Sequence, residues 1–150
     1  MGLFSWLRSQ GVSSPTDYDR AVVAALAEIL PPDMAAKLRL RLNAIDAVDR
    51  QDEGHEVILH VLDGGSPVFP AHMAIFSDDR TRRFASVEAL SLHAPSRGRA
   101  IVCLTNGNLA QIHYDRPTNE ADPAKVTEWH ARLLGPPFEA IGEDADAKRA

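Results

Sequence analysis

The chain has a single cysteine, Cys103, which excludes an internal disulfide framework and any metal site built on several thiolates. It has no apolar run approaching the roughly eighteen residues that a membrane helix needs. Residues 1–10, MGLFSWLRSQ, lack the longer apolar stretch and small-residue cleavage site of a secretory leader. They also miss the myristoylation pattern, because Trp6 stands where a serine or threonine is required. Phosphate-cradling loops are absent too: Gly64-Gly65-Ser66-Pro67 has neither a lysine nor a following helix, and no G-x-S-x-G elbow occurs. Positive charge is in deficit, with 16 Lys and Arg against 21 Asp and Glu and a net charge of −5. Such a field repels phosphate backbones, so nucleic acid is not an expected partner. The expected compartment is the cytoplasm, with no membrane contact through residues 1–10.

What is present reads as one globular domain. At 150 residues, 45% hydrophobic and 25% charged, the chain can bury roughly 70% of its unfolded surface. Asn106-Gly107, set between two strand-forming runs in residues 99–115, is the strongest short hairpin signal. A two-residue loop predicts Thr105 opposite Asn108, Leu104 opposite Leu109, Cys103 opposite Ala110, Val102 opposite Gln111, Ile101 opposite Ile112 and Ala100 opposite His113. One face would then collect Ile101, Cys103, Ala110 and Ile112; the other would collect Val102, Leu104 and Leu109, with Gln111 and His113 towards its edge.

Upstream, Thr16-x-x-Asp19 offers a helix cap, and Tyr18, Val22, Ala25, Leu26, Ile29 and Leu30 follow at helical spacing until Pro31-Pro32. A second helix is expected over 33–45, from Met34, Leu38, Leu42 and Ile45, with Lys37 and Arg41 on a solvated stripe. The period then changes to two. Strands are expected at 45–51 and 55–62 across a 52–54 turn, at 69–76 despite Pro70, and at 85–93 after an exposed charged loop at 77–83. Pro123 behind Asp122 opens a C-terminal helix with Val126, Trp129, His130 and Leu133 on its apolar face, ended by Gly135-Pro136-Pro137. The expected fold is α+β: two N-terminal helices, an antiparallel meander of five or six strands, and a C-terminal helix packed on the sheet. This domain spans 16–137, between a flexible arm at 1–15 and a loosely ordered acidic tail at 138–150.

Reactive motifs do not assemble along this pattern. His55 and His60 are five apart, which places them about 140° from each other on a helix and on opposite faces of a strand; they do not make a zincin pair. The hairpin register above separates Cys103 from His113. Neither metal nor cofactor is expected. The residues read as contact-forming are the charged loop Asp78, Asp79, Arg80, Arg82 and Arg83, the loop residues Arg116, Glu120 and Asp122, and Phe4 and Trp6 in the arm, since mixed-sign loops steer and select protein encounters.

The Leu30-Pro31-Pro32 break and the 106–117 hairpin, NGNLAQIHYDRP, resemble small bacterial immunity proteins and the SMI1/KNR4-like group. The tryptophan and glycine pattern usual before the proline in that group is missing. The resemblance implies a non-catalytic protein that neutralises or positions another polypeptide, and it transfers no site residues. The function read here is therefore a non-enzymatic protein-interaction module, of immunity or antitoxin-like kind, acting by occlusion. The rival is a small enzyme or ligand-binding domain whose pocket gathers His60, His72, His93 or His113. Self-association is a third reading, through an unpaired edge at 69–76.

Overall fold

The computed structural model describes residues 14–92 and 97–135. Two helices lead the chain. Helix α1, Asp17–Glu28, is opened by a capping box in which the Thr16 hydroxyl accepts from the Asp19 N–H and the Asp19 carboxylate accepts from the Thr16 N–H. Tyr18, Val22, Val23, Leu26 and Ala27 form its buried stripe. Helix α2, Pro32–Asn43, begins on a proline whose missing N–H costs nothing in a first turn. It buries Ala35, Leu38, Arg41 and Leu42, so the alternating run from Lys37 to Leu42 obeys helical and not strand spacing. The expected solvated stripe does not form: Arg41 is only 1% exposed.

The rest is a six-stranded antiparallel sheet, ordered β1-β2-β7-β6-β5-β8. Its strands are β1 Ala47–Gln51, β2 Glu56–His60, β5 Thr81–Leu90, β6 Arg97–Thr105, β7 Asn108–Tyr114 and β8 Glu128–Leu133. A small separate hairpin pairs β3, Leu62–Asp63, with β4, Ser66–Pro67. Only β5, β6 and β7 follow one another as a meander, because β2 lies beside β7 and β8 lies beside β5. The inner face packs Val48, Val57, Leu59, Ala85, Val87, Ala100, Val102, Leu104, Leu109 and Ile112 into one core with the two helices.

Further expectations need correction. The C-terminal helix is absent: residues Pro123–Lys125 form a single 3-10 turn, and Glu128–Leu133 is an edge strand. In a window this short Trp129 and Leu133 satisfy both periods, and pairing with β5 decides the outcome. Residues 69–76 are not a strand; Pro70 leads into a 3-10 turn at Ala71–Met73, so that segment offers no edge for self-association. Finally, the hairpin slips its register. Asn106 and Gly107 do make the turn, at φ 50° and 76°, and Leu104 faces Leu109, but Cys103 then faces Gln111, Val102 faces Ile112, Ile101 faces His113 and Ala100 faces Tyr114. Ala110 is the extra residue of a β-bulge. The slip turns Ile112 and Tyr114 inward, where both are buried.

Candidate functional site

The best-built polar assembly begins at Asp19. Acids in the first turn of a helix are usually solvated, yet this one is fully buried. Besides its capping bond, its carboxylate accepts from Arg50 Nη1 at 2.5 Å and from the Tyr114 hydroxyl at 2.7 Å. Arg50, on β1, is the hub: its Nη2 donates to Thr118 Oγ1 at 2.8 Å and its Nε to Asn119 Oδ1 at 3.1 Å. The Thr118 hydroxyl donates in turn to the Gly54 carbonyl. Gly54 sits at φ 88°, and a Cβ there would lie 2.9 Å from the Asn119 nitrogen, so the β1–β2 turn and the loop meet at a contact that suits only glycine. A buried ion pair is tolerated when its remaining donors and acceptors are satisfied, as they are here. Burial, followed by the Asp19 charge and hydrogen bond, pushes the Tyr114 hydroxyl well above its ordinary value.

This network holds the loop at 115–122 against the body, and the loop frames a cleft. The cleft has a volume of about 490 Å³ and lies between the start of α1, the end of β5, the start of β6 and residues 116–126. Tyr18, Ala89, Leu90, Ala121 and Val126 give it an apolar lining, while Arg116, Glu120, Asp122 and Lys125 supply charges of both signs. Tyr18 is set by its aromatic neighbours, with ring centroids 5.7 Å from Tyr114 and 5.4 Å from Trp129. Burial raises its hydroxyl pKa, and the nearby Arg116 charge partly offsets the rise. Arg116 is fixed by a bond to the Arg97 carbonyl and lies 3.6 Å from Asp115. No histidine or cysteine lines this cleft among the described residues.

The residues singled out from the sequence separate into groups. Arg116, Glu120 and Asp122 come together on the cleft, although Asp122 also caps the 3-10 turn by accepting from the Ala124 N–H at 2.9 Å. The segment read as a charged, exposed loop is partly strand and partly buried. Asp78 and Arg82 form an ion pair at 2.6 Å with side chains only 2% and 17% exposed, and Arg82 and Arg83 lie in β5. Asp79 and Arg80 remain at the surface, 3.8 Å apart. Asp78 and Asp79 also line a second cleft of about 390 Å³ with Lys37, Phe69, Phe76 and Asn106. Phe4 and Trp6 lie outside the described residues, as does His93.

The other histidines are scattered. His55 contacts the Asp52 carbonyl, His113 bonds Gln111 and His130 bonds Glu128. His60 is half-buried on β2, where burial, with the Asp49 charge opposing it, lowers its pKa. Among the described residues no group of three His, Cys, Asp or Glu side chains is placed to hold a metal. The bulge does bring Cys103 and His113 onto one sheet face, against the sequence-based register. The thiol is nonetheless buried, and desolvation pushes its pKa up although Arg83 partly offsets this, which disfavours the thiolate.

Arg50, Thr118 and Asn119 went unmarked in the sequence because the network joins residues 31, 68 and 69 positions apart. Only its first half, the Thr16 and Asp19 cap, carries a local signature. No protein-family model, no curated protein and no solved structure matches this chain.

Proposed function

We propose that this chain is a non-enzymatic protein-interaction module that binds another polypeptide by shape and charge, in the manner of an immunity or antitoxin-like inhibitor that occludes its target. The observation that carries the reading is the cleft around Tyr18: an apolar lining ringed by Arg116, Glu120, Asp122 and Lys125, on a loop fastened from behind by Arg50. An apolar patch with a charged rim of both signs suits a partner segment with an apolar anchor flanked by complementary charges. The ionic groups at the rim select the partner, and the apolar lining holds it. Burial of the lone thiol and dispersal of the described histidines support binding over bond making.

The test is affinity capture from the native cell with wild-type chain and with the Arg116→Glu/Glu120→Arg pair. Both positions are exposed, so the variant is expected to fold. The expected result is a stoichiometric partner retained by the wild type, lost by the variant, and inhibited when wild-type chain is added back. Repeated recovery of the chain alone, or equal capture by both forms, counts against the reading.

A further inference from the structure

The sheet ends on two different edges. At one side is β1, whose Ala47 and Val48 are fully buried and whose Asp49 is nearly so; the chain itself covers that margin. At the other side is β8, paired among the described residues with β5 along one flank only. Exposed and half-buried residues alternate along its whole length. Glu128–Leu133 contains no proline or lysine, and its pairing with β5 runs without a register shift, so neither a proline nor a bulge within it blunts the edge.

The Leu134 N–H donates to the Phe84 carbonyl at 2.9 Å, which fixes the parity of β8. Even-numbered backbone groups point at β5, and those of Trp129, Ala131 and Leu133 point away from the sheet. The side chains divide as well. Trp129, Ala131 and Leu133 pack against the core while only partly buried, and Glu128, His130 and Arg132 are exposed on the outer face. Among the described residues Glu128 accepts from no arginine; its contact is His130 Nε2 at 2.9 Å. Among the described residues Arg132 has no carboxylate partner.

We propose that β8 pairs antiparallel with β8 of a second copy of this chain, about a two-fold axis at His130, joining two sheets edge to edge. This register is selected by charge. It sets Glu128 of each copy opposite Arg132 of the other, twice over, and lets Trp129 and Ala131 exchange backbone hydrogen bonds across the axis. Centring on Ala131 instead would oppose His130 to Arg132, and centring on Trp129 would leave Arg132 opposite Val126. The interface is isologous and closes on itself, so it yields a dimer and not a fibre. The half-buried Trp129 and Leu133 of the two copies then continue one apolar face.

Sedimentation of the full chain over a concentration series tests this. The expected result is a monomer–dimer equilibrium in which Arg132→Glu or Glu128→Arg alone weakens the dimer about tenfold or more, while the double reversal restores it. A dimer indifferent to both single reversals overturns the proposal. So does a monomer at every concentration; slow hydrogen exchange at the Trp129 and Ala131 amides of that monomer would assign the edge to another segment of the same chain.

Discussion

Asp19 accepts two long-range bonds, from Arg50 and from the Tyr114 hydroxyl, and its consequences follow from burial. Removing it leaves the Arg50 guanidinium, whose side chain is 8% exposed, without its counter-charge and the Tyr114 hydroxyl without its acceptor. Breaking one partner of a buried pair typically costs about 3–5 kcal/mol, so Asp19→Ala is expected to lower the urea unfolding free energy by about that much. Replacing both charges removes the stranded cation. Asp19→Ala/Arg50→Met should therefore lose clearly less than the sum of the two single variants. The same substitution reaches the cleft: with Arg50 released, the Thr118 and Asn119 amides, which now donate to the Glu53 carbonyl, should exchange faster than in the wild type.

At the scale of elements, the bulge at Ala110 connects register to the buried Arg41. A two-residue turn makes Leu104 and Leu109 a non-hydrogen-bonded pair, so the Leu109 carbonyl points away from β6. Pairing of β2 with β7 stops at Ile58 and Gln111, and that carbonyl instead accepts from Arg41 Nε at 2.8 Å, while Nη1 donates to the Val68 carbonyl. Because Ala110 is in excess, its deletion leaves Ile112 and Tyr114 facing inward. The variant should still unfold cooperatively, weakened by about 1–3 kcal/mol where hydrogen bonds beside the closed bulge are disturbed. Deletion of Cys103, on the strand with no spare residue, should abolish cooperative unfolding by turning the rest of β6 over. What was legible beforehand divides along similar lines. Both helices and the Asn106-Gly107 turn follow from contiguous residues, through a cap, a period or a positive φ. The bulge, the inward turn of Arg41 and the strand at 128–133 depend on neighbours distant in sequence, which is also why only the Arg116, Glu120 and Asp122 side of the cleft could be marked.

For the molecule as a whole, burial has raised three acids together. Cys103, Tyr18 and Tyr114 all titrate above their ordinary values of 9.0, 10.0 and 10.0, chiefly because desolvation disfavours their anions. The unfolded chain surrenders these protons first, so the folded state binds more protons as pH rises through that range, and stability falls. Their contribution is complete below pH 9 and is lost progressively above it. Arg41 works in the opposite sense. Burial lowers its pKa from its ordinary value to about 10, so above about pH 10 the unfolded chain holds the extra proton there and one of the three losses is offset. Urea midpoints are therefore expected to be flat from pH 7 to 9 and then to decline, by up to about 1.4 kcal/mol per pH unit for each uncompensated proton. Tyr114→Phe separates linkage from packing. It starts lower at pH 7, because Asp19 loses the hydroxyl that donates to it, yet it should decline less steeply above pH 10 than the wild type. A variant curve parallel to the wild type through that range would show that the Tyr114 proton contributes nothing to the alkaline loss.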